Sequence, residues 1–101
     1  MNMEDELLEE WKLSVDKPTK RFKELLGQIA VDRFNKYTKE INLIMEYWVK
    51  DYIVQGVIKN RTKFNEDKGE IVTYFTNIAD GYAFNITDKL IKKAFVSKEE
   101  D

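Results

Sequence analysis

The sequence predicts an all-α, single small domain of three to four helices, and three observations lead there. Apolar residues recur at three- and four-residue spacing along much of the chain. Proline occurs once and glycine four times in 101 residues, and apolar–polar alternation never persists over more than a few positions. A chain of this length builds one domain with one modest core, burying about two-thirds of its unfolded surface.

Leu7, Leu8, Trp11 and Val15 recur at helical spacing within an acidic segment, which predicts a short first helix from about Asp5 to Ser14. Asp16-Lys17-Pro18-Thr19 breaks that pattern, and Pro18 suits the first turn of the next helix. Residues 1–19 thus read as an acidic N-terminal helix and linker. Phe22, Leu25, Leu26, Ile29, Ala30 and Phe34 form one face of a second helix that continues to about Lys36. Thr38 is placed to cap a third, with Ile41, Ile44, Met45, Trp48, Tyr52 and Ile53 as its apolar positions. That helix either runs through Ile58 toward Arg61 or breaks near Gly56. Phe64-Asn65-Glu66-Asp67-Lys68-Gly69 is a turn by composition, since Asn and Asp accept local backbone bonds. A last helix starts near Ile71, with Phe75, Ile78, Ala79, Tyr82, Ile86 and Leu90 on one stripe, and is expected to fray from Val96. Residues 20–95 form the helical domain and 96–101 an acidic tail.

Composition restricts the chemistry. Histidine and cysteine are both absent, which removes Ser-His and Cys-His nucleophile pairs, the imidazole base and any thiolate metal site. The expectation is a binding protein, not an enzyme, with no cofactor and no metal. Asn65, Glu66 and Asp67 supply three oxygens in a short run, but no further acids follow at calcium-loop spacing. No apolar run approaches the roughly 18 residues of a membrane span, and the acidic start lacks the basic and apolar regions of a secretory signal. A cytoplasmic location is expected.

Charge is spread unevenly. Glu4, Asp5, Glu6, Glu9 and Glu10 load one end and Glu99, Glu100 and Asp101 the other; with a net charge of −2, the body between them carries +6. Acidic ends oppose counterion-driven binding to duplex DNA, so contact with nucleic acid would need a partner that holds the chain in place.

One stretch says more than periodicity. Gly56-Val57-Ile58-Lys59 leads into Lys63-Phe64-Asn65-Glu66-Asp67-Lys68-Gly69, and Thr73-Tyr74-Phe75-Thr76-Asn77-Ile78-Ala79 follows at a short fixed distance. This resembles region 2 of the bacterial sigma-70 family, where a Gly-apolar-apolar-Lys helix end precedes a Lys-Phe-acidic turn and an aromatic-rich helix start. The short chain, rich in Lys, Asn, Ile and Glu, is closest in style to the late sigma factor of T4-type bacteriophages. The resemblance covers about Trp48 to Lys93.

The resemblance implies roles. Trp48, Asp51, Tyr52 and Gln55 would dock on the clamp helices of the largest subunit of bacterial core RNA polymerase. Phe64 would be the buried anchor of the turn. Tyr74 or Phe75 would stack a flipped promoter base, and Thr76, Asn77, Tyr82 and Asn85 would line the single-stranded, non-template −10-like strand. Lys59, Arg61, Lys63, Lys68, Lys89, Lys92 and Lys93 would meet phosphates. Ile78 and Ala79 fall near the positions where housekeeping members carry a tandem Trp wedge, which implies weaker melting. Nothing after Lys93 matches the upstream-reading regions, which implies a separate coactivator.

Each of these residues also has a structural reading. By periodicity alone Phe75, Ile78, Tyr82 and Ile86 are core, Trp48 is core, and Tyr74 lies off the centre of the stripe. Lys59, Arg61 and Lys63 suit the negative end of a helix dipole without any ligand. The acidic start reads as a solvated helix face, with DNA mimicry or autoinhibition as the alternative. The rival to the sigma reading is a small helical polymerase-binding adaptor or inhibitor that does not recognise DNA.

Overall fold

A computed structural model describes residues 2–39 and 47–99, with side chains through residue 93. The described residues form four α-helices: α1 Met3–Leu13, α2 Lys20–Thr38, α3 Tyr47–Lys59 and α4 Ile71–Glu99. A single 3-10 turn, Arg61–Lys63, links α3 to α4. No strand occurs among the described residues, and the fold is all-α as predicted. No described helix is long and apolar enough to cross a membrane. Ile41, Ile44 and Met45, expected on the third helix, lie outside the described residues.

Side-chain caps explain where the helices begin. The Asn2 side chain accepts from the Asp5 N–H at 2.9 Å, and Glu4, Asp5 and Glu6 set three carboxylates against the positive end of α1. At the other end, the Ser14 hydroxyl donates to the Glu10 carbonyl at 2.7 Å and accepts from the Thr19 N–H at 3.1 Å, which folds the connection back on itself. The Thr19 side chain then accepts from the Phe22 N–H at 3.1 Å and caps α2. Pro18 therefore precedes the cap instead of occupying the first helical turn. Threonine has an acceptor to offer there and proline has none. Thr38 is also placed differently from expectation: it is buried as the last residue of α2, and its hydroxyl donates back to the Phe34 carbonyl at 2.9 Å. The hydroxyl thus bonds back within α2, and residues 40–46, which follow it, lie outside the described ones.

The core forms where the apolar faces of all four helices meet. Leu7, Phe22, Phe34, Val49, Ile53 and Phe75 are wholly buried, and Leu25, Leu26, Val57 and Ile71 nearly so. Leu7 places α1 in this core, while Glu6 holds the Arg21 guanidinium through two oxygens at 2.7 and 3.0 Å. Helix α3 continues through Gly56 because that residue answers a packing demand and not a turn. A Cβ there would stand 2.5 Å from the Tyr82 ring of α4. α4, at 29 residues, is about 43 Å long. It runs to Glu99, past the Val96 where fraying was expected.

Candidate functional site

The segment joining α3 to α4 is built from the inside outward. Phe64 is buried, with the Trp11 ring edge-on at 5.0 Å and the Tyr74 and Phe75 rings at 5.3 and 6.0 Å. It anchors the turn on α1 and α4. The Asn65 carboxamide accepts from the Asp67 N–H at 2.9 Å, so this part of the acidic run closes a local turn. The Arg61 guanidinium donates to the Ser14 carbonyl at 3.0 Å and the Ile58 carbonyl at 2.9 Å, while the Arg61 carbonyl accepts from the Trp11 indole at 2.9 Å. The ends of α1 and α3 are thereby stitched together.

Helix α4 receives its cap from a residue 67 positions away in sequence. The Glu4 carboxylate accepts from the Ile71 N–H at 2.7 Å and the Val72 N–H at 3.1 Å. No acid lies in the first turn of α4 itself, so Glu4 supplies the negative charge that the helix dipole favours there. This part of the acidic start is thus not a solvated face. Glu4, Glu6 and Glu10 all hold partners, while Asp5 and Glu9 are exposed.

Two helix faces carry most of the residues to which the resemblance gives roles. On α3, Trp48, Asp51, Tyr52 and Gln55 fall at the zero, three, four and seven spacing of one helix face, and all four are exposed. Trp48, which periodicity alone assigns to the core, is 52 % accessible, and its neighbour Tyr47 is 82 % accessible. Val49, Ile53, Val54 and Val57 fill the core from the other side of the helix, leaving no room there for the indole. Tyr47 was not singled out in the sequence, although it stands one turn before Asp51 and shares its side of α3.

On α4 the residues expected to meet a DNA strand separate. Phe75 is wholly buried against Phe22 and Phe64, so it has no free ring face. Tyr82 turns to α3, lying over Gly56 with its ring 5.6 Å from that of Tyr52. Thr76 is half-buried and lines a small groove with Met3, Ile29 and Val72. Ala79 is fully buried and Ile78 packs on the core, so neither projects as a wedge. Asn77 and Asn85 are exposed, as is Gly81 midway between them. Tyr74 is half-buried; its hydroxyl donates to the Asn60 carbonyl at 3.3 Å. Of the two rings left open by the sequence, only Tyr74 reaches the surface.

Among the basic residues, Lys59, Lys63, Lys68, Lys89, Lys92 and Lys93 are exposed, and Lys92 is paired with Asp88 at 3.0 Å. Arg61 is the exception, its guanidinium engaged by the two carbonyls described above.

Three groups among the described residues are shifted in their protonation, and the Arg21 guanidinium is raised by its hydrogen bonds to Glu6 and Glu24. The bidentate Arg21 hydrogen bonds hold the Glu6 carboxyl below its usual 4.5. Tyr37 is raised above 10.0 because its hydroxyl donates to the Asp80 carboxylate, with burial adding to the effect. Comparisons of the chain with protein-family models, with curated proteins and with solved structures find no match in any of the three.

Proposed function

We propose that the chain is a phage-type sigma factor, a promoter-specificity subunit that docks on bacterial core RNA polymerase through α3. On this reading it holds unpaired bases of an AT-rich −10-like late promoter along α4. One observation carries it: the two helices joined by the Phe64-anchored turn each present a solvent-facing stripe. That of α3 holds Trp48, Asp51, Tyr52 and Gln55, and that of α4 holds Asn77, Gly81 and Asn85.

A half-exposed Trp beside an exposed Tyr, within a stripe that also offers a carboxylate and an amide, has the composition of a protein-binding hot spot. Asn77 and Asn85 can donate to and accept from base edges. Gly81 leaves bare helix between them for close approach. Of the two rings the resemblance offered, Tyr74 is the one available for stacking, an interaction worth about 1–3 kcal/mol per base. Lys59, Lys63, Lys68, Lys89, Lys92 and Lys93 are the phosphate contacts of this reading. Phe75, Thr76, Tyr82 and Arg61 leave the set of strand contacts, because the fold already uses them. The chain catalyses nothing; polymerase contacts and base capture supply the free energy of opening, with a coactivator for upstream contacts, in the cytoplasm of the infected host.

The burial of Phe75 and the engagement of Arg61 remove two of the strand contacts that the resemblance implied, and this favours a second reading, an RNA polymerase-binding adaptor or inhibitor without DNA recognition. Separation of function decides between them. Trp48→Ala should weaken core polymerase binding by about tenfold or more while leaving helicity intact. Tyr74→Leu should spare polymerase binding and lower promoter-dependent transcription, whereas Tyr74→Phe keeps the ring and should retain it. Polymerase binding without any promoter-dependent transcription identifies the adaptor, and loss of neither property in these variants contradicts both readings.

A further inference from the structure

A groove of about 300 Å³ opens between the start of α2 and the Tyr47-to-Gln55 stretch of α3, on elements separate from the α4 stripe. Lys20, Lys23 and Lys50 line it together with Tyr47, Val54 and the docking residues Asp51 and Gln55. None of the three lysines has an ion-pair partner within 4.0 Å among the described residues; Glu24, which also borders the groove, is taken by Arg21 at 3.3 Å.

Two features mark this charge as placed. The first turn of α2 carries no acid, and Lys20 and Arg21 stand where the helix dipole favours carboxylates, so cation and dipole fields add in the groove. Gly27 of α2 lies under the Lys50 stem: a Cβ there would sit 2.7 Å from Lys50 Cε and 3.3 Å from its Nζ. The missing side chain thus leaves room for the Lys50 side chain to lie along α2 at Gly27, beside the groove that Lys50 helps to line.

We propose that this groove receives an acidic polypeptide segment of the partner that docks on α3, its carboxylates held by Lys20, Lys23 and Lys50 beside the Tyr47 ring. Charge complementarity selects an anion. Continuity with the docking face, through the shared Asp51 and Gln55, selects the protein partner over the DNA strand, since no α4 residue lines the groove. The identity of the partner rests on the reading above, but the chemistry of the groove does not.

A hexaglutamate peptide tests this on the full chain, with amide NMR shifts and titration as readouts and an oligothymidylate of equal charge as comparison. Hexaglutamate should shift the amides around Lys20, Lys23 and Lys50. The triple variant Lys20→Gln/Lys23→Gln/Lys50→Gln should weaken it about tenfold at low salt, since each exposed pair contributes modestly and three act together. Neutralising Lys12, Lys36 and Lys39, none of which lines the groove, should leave the affinity within about twofold. Gly27→Ala raises helix propensity yet should weaken the peptide by displacing Lys50, with no change in charge. Equal losses in both triple variants, preference of the groove for the oligonucleotide, or no groove shifts with hexaglutamate would each overturn the proposal. Those failures leave the sigma reading standing if Trp48→Ala still reduces polymerase binding. Conversely, peptide binding with no polymerase binding retains the groove and removes that reading.

Discussion

Single side chains hold the connections of this bundle, and Glu4 is the most informative. Its carboxylate serves two N–H groups of α4 that lie 67 and 68 residues away in sequence. Glu4→Gln keeps one acceptor oxygen but removes the charge that opposes the α4 dipole. It should lower the free energy of unfolding by about 1 kcal/mol in a urea titration, in the range of a lost cap. Glu6 gives a pH signature. Its folded pKa is depressed by Arg21, so its stabilising contribution is present above the unfolded value near 4.5 and is lost as pH falls through the lower folded value. Thermal melts from pH 7 downward should show this acid loss, and Glu6→Gln should flatten it. Tyr37 acts in the opposite sense, because its folded pKa is raised above 10.0 by the bond to Asp80. Its contribution is full below the unfolded value and disappears as pH climbs through the folded one.

At the scale of elements, the two glycines facing α3 and solvent have different physical meanings. Gly56 lets Tyr82 lie against α3, whereas Gly81 has nothing within 4 Å of a would-be Cβ. Gly81→Ala should therefore stabilise α4 by about 0.5–1 kcal/mol, the ordinary glycine penalty in a helix interior. On the sigma reading it should also weaken capture of a single strand; unchanged strand binding would remove Gly81 from that surface. Helix number and approximate span were legible because apolar spacing and the Asp16–Thr19 break are local signals. The Thr19 cap and the end of α2 at Thr38 depend on which hydroxyl reaches which backbone group, and periodicity carries no record of that. The same limit applied to Trp48: its spacing fits an apolar stripe, but five valine and isoleucine side chains of α3 fill the buried face. Phe64 was expected as an anchor only through the resemblance, and it is buried. The partner it shares with α1, Trp11, was not legible, since that contact joins segments 53 residues apart.

At the scale of the whole molecule, the acidic N-terminal helix completes the core with Leu7, caps α4 with Glu4 and closes the turn with Trp11. The domain so completed keeps three surfaces available: the aromatic stripe of α3, the lysine groove beside it, and the Asn-Gly-Asn stripe of α4. The first two are contiguous and the third lies on another helix, an arrangement suited to a module held by one macromolecule while it touches a second. Stacking, docking and charge are thereby divided among faces that single substitutions can address separately.

The most direct test is the affinity for forked DNA bearing an AT-rich single-stranded −10-like strand, measured by anisotropy with the chain alone, with core RNA polymerase alone and with both. The sigma reading predicts tight, strand-sequence-dependent binding only when both are present, weakened by raised salt and by Tyr74→Leu. Polymerase binding that leaves the DNA signal unchanged in every strand sequence would contradict it.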